Sequence, residues 1–246
     1  MAPAHTVRCD QYSVAMGWGS ALILSLSAAD GIMRPDGQLV PLYRHLCVTG
    51  MKFFEKPSPD QSDRTPPGQY LTKGFPVLTY GPTPPVSKDT WQLKVWGSAT
   101  SKIFTWDEMM ALPQQEFTYD FHCVTRWSKL DATWRGIKVT DVMAQVELQP
   151  SASTVMLHCY GDYTTNLTLD DFVREDNFFA FEMAGEPLPP DHGGPMRVVV
   201  PHLYAWKSAK WINGLEFLDE EELGFWERNG YHRRGDPWNE ERYAGR

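Results

Sequence analysis

An α+β chain, mostly strand with short helices and long loops, is what this sequence of 246 residues predicts. Three observations carry the reading. Apolar and polar side chains alternate over short stretches, which is the period of a half-buried strand. Helical start signals are followed within a few residues by stops, so the helices are expected to be short. Finally, 19 Pro and 19 Gly demand many irregular connections. A chain of this length can bury a substantial core in one domain with extensions.

Taken in order, residues 1–50 do not read like the rest. The apolar run Ala21-Leu22-Ile23-Leu24 is interrupted by Gly17, Gly19, Ser20, Ser25 and Ser27, too short and weak to span a bilayer. Arg8 alone supplies a positive region, Ala28-Ala29 is a poor cleavage site and no twin arginine precedes the run. The expectation is a cytoplasmic chain whose residues 1–50 form a poorly ordered extension. Residues 51–70 become polar and proline-rich from Glu55 onward, an extended lead-in. The functional domain is expected over 71–246. Within it Trp91-Gln92-Leu93-Lys94-Val95 alternates as a strand. Thr105-Trp106-Asp107-Glu108 is a capping box opening a helix that Pro113 stops. Glu116 to Phe121 alternates as a second strand, Val139 to Val146 reads as a short helix, and Val155 to Tyr160 as a buried strand. Thr168-Leu169-Asp170-Asp171 is a second capping box. A proline-rich stretch, Glu186 to Pro190, leads to a core strand at Val198-Val199-Val200. The tail from Asp219 is charged and carries Trp226, Tyr231 and Trp238, so it is expected to wrap the domain surface.

Composition excludes several functions. A net charge of −8 argues against a nucleic-acid role, because phosphate backbones require concentrated Lys and Arg. The cysteines at 9, 47, 123 and 159 form no CxxC, no CxxCH and no paired spacing. That argues against a c-type haem, an iron–sulfur run, a zinc ribbon or a disulfide framework. No GxSxG is present, so a serine-hydrolase reading fails.

The chemistry centres on Phe121-His122-Cys123-Val124-Thr125-Arg126-Trp127-Ser128, where a strand runs into a single cysteine. A thiolate there would suit a soft or redox-active metal, with Arg126 lowering its pKa. The plain alternative is a buried cysteine packing as a small hydrophobe. His122-Cys123 and His158-Cys159 invite a zinc reading, but strand neighbours point to opposite faces and the spacing is wrong for zinc. Tyr163 follows Gly161-Asp162 at a strand exit, where functional side chains tend to sit, although a surface tyrosine reads the same way. Residues 192–201 read locally as a turn before a strand, with surface lysines beyond it.

A resemblance adds to these local readings. Cys123 to Ser128, followed by Trp134-Arg135-Gly136, resembles the cysteine segment of the sulfite oxidase superfamily. These are molybdenum enzymes in which a protein thiolate completes the coordination of a molybdopterin-bound metal, and the pattern is closest to their single-domain bacterial members. His192-Gly193-Gly194-Pro195-Met196-Arg197-Val198-Val199-Val200-Pro201, followed by Lys207-Ser208-Ala209-Lys210-Trp211, is similar to the cofactor-binding signature. Asp162 to Leu169 resembles the segment bearing the active-site tyrosine. The likeness runs over roughly residues 66–245.

The resemblance implies a mixed sulfite oxidase-type molybdopterin-binding fold and two-electron oxygen-atom chemistry on a small oxyanion or sulfoxide-like substrate. Cys123 would be the sole protein ligand of molybdenum. Phe75, Cys159, His192, Arg197, Ser208, Ala209 and Lys210 would contact the pterin or its phosphate, which calls for positive charge and backbone N–H groups. Gly193-Gly194 would allow close backbone approach to the ligand. Arg126 and Tyr163 would line the substrate approach, Tyr163 orienting an oxygen or relaying a proton. At the first cofactor-contacting segment several relatives carry an Asn where this chain has Lys73-Gly74. Neither an attached haem domain nor a C-terminal immunoglobulin-like domain has a counterpart here, so an external electron donor or acceptor protein is expected. The rival readings are a cofactor-free binding module and a cofactor carrier without turnover, both on the same scaffold.

Overall fold

A computed structural model describes residues 61 and 63–245, together with three short strands before them: β1 (Gly31–Met33), β2 (Leu39–Pro41) and β3 (Phe54–Glu55). The chain divides into two units, Met1–Met51 and Lys52–Arg246. In the first, β1 pairs antiparallel with β2, Ile32 opposite Val40. The other expectations for residues 1–50, and most of those for the lead-in, lie outside the described residues.

The second unit holds two sheets. One has the order β10 (Thr164–Thr168), β9 (Thr154–Cys159), β14 (Ile212–Leu218), β5 (Gln92–Gly97), β6 (Lys102–Thr105), with β14 and β5 parallel and the other pairs antiparallel. Alternation fixes its inner face: Leu93 and Val95 are buried while Gln92 and Lys94 are exposed. The other sheet is built on β8 (Trp127–Lys138), the longest described strand. Along β8 run β7 (Gln115–His122), β4 (Tyr70–Thr72) and β11 (Phe178–Met183). β4 also pairs with β3, and β11 with β12 (Glu186–Pro187) and β13 (Arg197–Val199).

Both faces of this second sheet are covered, and the sequence of β11 shows why. Phe179 joins one core with Leu93, Val155, Leu157 and Phe217, whereas its neighbour Phe178 joins another with Phe117, Phe121, Trp127 and Trp134. A strand buried on both sides reads as a continuous apolar run rather than an alternation. Close approach of β8 to β11 depends on Gly136, where an added Cβ would meet the Phe179 carbonyl oxygen at 2.4 Å.

The helices are as short as their stop signals require. In α1 (Trp106–Met110) both arms of the Thr105–Glu108 capping box form. α2 (Val139–Met143) stops three residues before the expected end at Val146. α3 (Leu169–Phe172) is capped by Thr168, whose hydroxyl accepts from the Asp171 N–H at 3.1 Å and donates to the Asp171 carboxylate at 3.1 Å. The expected strands correspond to β5, β7, β9 and β13 within one or two residues. The tail departs from expectation. It supplies α4 (Phe225–Arg228), whose Glu227 is 4% exposed, and it returns a buried Arg242 to the Val124 carbonyl at 2.7 Å. The tail is therefore core as well as surface, because its charged groups find buried partners.

Candidate active site

Where β7 gives way to β8, the chain turns at Cys123. The Arg126 N–H donates to the Cys123 carbonyl at 2.9 Å and the Cys123 N–H donates to the Trp127 carbonyl at 2.9 Å, closing the turn with Arg126 at φ 78°. Two remote side chains brace it: Gln69 Nε2 donates to the Cys123 carbonyl at 3.0 Å, and Arg242 donates to the carbonyl of Val124. The Thr125 hydroxyl lies 3.2 Å from the Cys123 Sγ. Burial pushes the thiol pKa up, while Thr125 and the positive charges of Arg242 and Lys210 pull the other way. The expected role of Arg126 thus falls to other residues, since Arg126 is exposed on the turn and Arg242 arrives from the tail.

Cys123 opens into a cleft of about 280 Å³. Of the expected site residues, Phe75, Cys123, Tyr163, His192, Arg197, Ser208 and Lys210 line it together. Arg126 is not among the lining residues. Cys159 and Ala209 are buried in the core between the sheets, where burial drives the Cys159 thiol far up.

Phe75 packs its ring 5.3 Å from His192 and 5.1 Å from Phe121. His192 ends a short 3-10 turn (Pro190–His192), and its buried Nδ1 has no hydrogen-bond partner among the described residues. Burial and then the charge of Arg197 lower its pKa, so the imidazole is neutral at neutral pH. Arg197 is 2% exposed. Its Nη1 donates to the His192 carbonyl at 2.9 Å, its Nη2 to the Ser208 carbonyl at 2.8 Å, and its plane lies 5.5 Å from the Phe121 ring centre. Its hydrogen-bond partners among the described residues are carbonyls, and burial lowers its pKa to about 10. Lys210 Nζ donates to the carbonyls of Asp191 at 2.7 Å and Leu78 at 3.0 Å; burial, with Arg197 nearby, lowers its pKa to about 7. The Ser208 hydroxyl accepts from the Val200 N–H at 2.9 Å.

In this loop Gly193 and Gly194 allow close approach of the chain to itself. An added Cβ at Gly193, where φ is 109°, would meet Lys210 Cβ at 3.0 Å, and one at Gly194 would meet the Leu188 carbonyl oxygen at 2.2 Å. Lys207, expected as a surface lysine, needs correction. It is fully buried, 2.6 Å from the Glu227 carboxylate.

Tyr163 donates its hydroxyl to the Trp206 carbonyl at 2.7 Å, and burial, followed by Glu227, holds the phenol pKa well above its ordinary value. The phenol therefore stays protonated and offers the cleft an acceptor oxygen. The two histidines of the zinc reading are engaged elsewhere: His122 Nδ1 lies 2.8 Å from Ser128 Oγ, and His158 Nε2 lies 2.8 Å from the Glu216 carboxylate. Sequence reasoning missed the wall opposite, where Tyr80, Trp206, Trp226 and Tyr231 line the cleft. Tail aromatics were the available signal, but nothing local distinguished a cleft wall from a surface wrap.

The donor set fits a metal-bearing pterin. The cleft presents one thiol, a buried imidazole nitrogen without a partner and two cationic groups, while no Asp or Glu lines it among the described residues. A buried guanidinium facing no carboxylate favours an anionic ligand.

Comparison with known proteins agrees with that fit. Residues 80–226 match the family described as "Oxidoreductase molybdopterin binding domain". The chain is 45% identical over 196 residues to an uncharacterized oxidoreductase, YuiH, of Bacillus subtilis, covering 79% of this chain and 99% of that one. It is 29% identical to the protein-methionine-sulfoxide reductase catalytic subunit MsrP of Ralstonia nicotianae (55% of this chain, 46% of that one) and 27% identical to mitochondrial sulfite oxidase of Drosophila melanogaster (64% and 32%). It thus spans less than half the length of either. The sulfane dehydrogenase SoxCD of Paracoccus pantotrophus shares the fold, with a TM-score of 0.53 at 18% identity over 60% of this chain and 42% of that one. With its thiol, cationic loop and matched span on one cleft, the chain belongs to the sulfite oxidase family of molybdopterin-binding oxidoreductases.

Proposed function

We propose that this chain binds a molybdenum-bearing pterin in the cleft at Cys123 and exchanges an oxygen atom with a small oxyanion or sulfoxide-like substrate, the electrons passing to or from a separate protein. The observation that carries the reading is the Cys123 thiol opening into a cleft that has cationic groups but, among the described residues, no carboxylate. Relatives named for sulfite oxidation and for methionine sulfoxide reduction support the substrate range.

The cofactor supplies, when bound, the two-electron exchange of an oxygen atom. The chain supplies the rest. Cys123 offers a soft sulfur ligand, held in place by Gln69, Thr125 and Arg242. Arg197 and Lys210 provide positive charge for a phosphate, and Lys210 retains N–H capacity beyond its two carbonyls. His192 offers the pterin a neutral imidazole with a free ring nitrogen. Phe75 closes one side of the cleft against water through its contacts with Phe121, Trp127 and Trp134. Tyr163, its own proton committed to the Trp206 carbonyl, can accept a hydrogen bond from a protonated substrate oxygen.

Elemental analysis of protein purified from a host that makes molybdopterin tests the reading. Molybdenum and releasable pterin near one per chain are expected. Stoichiometric zinc without molybdenum would overturn it.

A further inference from the structure

The walls of the cleft are fastened unequally. Backbone hydrogen bonds close the turn at Cys123, and a 3-10 turn (Ala205–Lys207) carries Trp206. Trp226 rides on α4, which Glu227 ties to Trp206 and Lys207. Residues 76–80 are different. They bring Pro76, Leu78, Thr79 and Tyr80 to the lining from the stretch between β4 and β5, and they belong to no strand or helix. Among the described residues, no backbone–backbone hydrogen bond involves residues 76–81. Val77, Leu78 and Tyr80 are 42%, 51% and 50% exposed. A segment with exposed side chains and no backbone ladder opens at a small fraction of the cost of global unfolding.

Its two ends differ in kind. Phe75 is the root, its ring packed between 5.1 and 5.6 Å from those of Phe121, Trp127, Trp134 and His192. At the far end Gly81 holds φ 73°, and an added Cβ there would meet nothing within 4 Å. Glycine adopts that conformation without strain and leaves it as freely. Beyond it Pro82, Pro84 and Pro85 stiffen the chain, so bending is confined to the residues between Phe75 and Gly81. Thr79 Oγ1 donates to the Gly81 carbonyl at 3.1 Å, which makes the tip a turn that keeps its own shape.

Two contacts hold the segment down. Lys210 Nζ donates to the Leu78 carbonyl at 3.0 Å, and the Tyr80 ring lies 4.1 Å from that of Phe225. The other printed-length bond of Lys210, 2.7 Å to the Asp191 carbonyl, leaves one N–H of the ammonium unspent. Size supplies the reason to move. The cleft measures about 280 Å³, just under the roughly 300–1,000 Å³ of pockets that hold a drug-sized ligand. A fused-ring pterin with a phosphate needs at least that room, so one wall must yield to let it in. Residues 76–80 are the wall with least to lose.

We propose that residues 76–80 form a lid that lifts about Gly81 to admit the cofactor, and that Lys210 latches it shut by holding the Leu78 carbonyl and the bound anion with one ammonium group. This rests on the reading that a pterin fills the cleft, and its test separates the two. Full-length protein from a host without molybdopterin and the holoenzyme are digested briefly with chymotrypsin, and the fragments are identified by mass. Cleavage after Leu78 or Tyr80 is expected at least tenfold faster without cofactor, while cleavage elsewhere in the chain changes far less.

Tyr80→Ala removes one of the two fastenings at a half-exposed position, so it does not burden the core. Loss of such an aromatic pair corresponds to a factor of about five. Uptake of free molybdopterin by the cofactor-free variant, followed by tryptophan quenching, should quicken by about that factor. Loss of molybdopterin from the variant holoenzyme on dialysis should quicken as well. A ring that is only part of the binding wall would speed loss and leave uptake unchanged. Uptake that Tyr80→Ala does not quicken overturns the lid and leaves the cofactor reading intact. So does cleavage at Leu78 and Tyr80 that the cofactor leaves unchanged, or slows no more than cleavage elsewhere. No molybdopterin uptake by the unaltered chain, with no molybdenum in the purified protein, overturns both.

Discussion

Cys123 is held from four parts of the chain: its own turn through Thr125 and Arg126, Gln69 from the lead-in, Lys210 through charge, and Arg242 from the tail. Cofactor retention would be spread over Arg197, Lys210 and His192, so losing one metal ligand should not release the pterin. Cys123→Ser, which replaces a soft thiolate with a harder, mostly protonated oxygen, is expected to abolish turnover while most pterin stays bound. Cys159→Ser, in the core behind the cleft, should leave the metal's electronic spectrum unchanged. Activity assay and absorption spectroscopy on the two variants check this, and a reversed pattern would reassign the ligand. Lys210 makes a pH-dependent prediction. Its folded pKa, near 7, lies below the ordinary lysine value of about 10.4. Between those values the unfolded chain binds more protons, so the stability of cofactor-free protein should rise with pH from about 7 toward 10. Lys210→Met should flatten that rise, read as melting temperature against pH. Much of this site was legible in the residues: of the seven expected residues that line the cleft, five (Cys123, His192, Arg197, Ser208 and Lys210) lie in the Cys123 and 192–211 blocks. Arg242 was not, because nothing around it in sequence reveals that its partner carbonyl lies 118 residues away.

Elements show a similar division, with a physical cause. β5, β7 and β9 announce themselves because each alternates or runs apolar between clear breaks. β8 was hidden because Asp131, at φ 52°, and the register shift between Tyr119 and Phe121 interrupt its pairing with β7. The apolar run of β11 lacks a period because both of its faces are buried. α4 was unreadable for another reason: four residues cannot show helical periodicity, and its stability comes from Glu227. That carboxylate gathers Lys207, Trp206 and Thr165, all remote in sequence. Lys207→Met strands it, fully buried, without its counter-charge. Breaking one side of such a pair costs roughly 3–5 kcal/mol. Denaturant unfolding should show a loss of that size, and the double change Lys207→Met with Glu227→Leu should recover a large part of it. Recovery would separate the cost of a stranded charge from the worth of the pair itself.

At the scale of the whole molecule, everything that lines the cleft falls between Phe75 and Tyr231, and both sheets lie in the unit Lys52–Arg246. A chain beginning at Lys52 therefore retains every described contact of the site and is expected to fold and carry molybdenum at the level of the full chain. The opposite end differs in kind although it is much shorter. Residues 237–245 are not among those that line the cleft, yet they contain Arg242, 4% exposed, which donates to the carbonyls of Val124 and Pro67 and lies 4.9 Å over the Tyr204 ring. Removing them leaves the Val124 carbonyl, next to Cys123, without its charged donor. One charge-assisted hydrogen bond contributes about 1.5–3 kcal/mol, so opening of the Cys123 turn should become roughly ten- to a hundredfold more frequent. Two measurements read this: the molybdenum content surviving prolonged dialysis, and the rate at which iodoacetamide alkylates Cys123 in cofactor-free protein. The chain ending at Asp236 should lose metal and alkylate faster, and Arg242→Gln should do the same to a smaller extent, because an amide can still reach a carbonyl without the charge. If the chain ending at Asp236 keeps its metal and its thiol stays as slow as in the full chain, the tail only covers the surface and the turn at Cys123 is held by Gln69 and its own backbone.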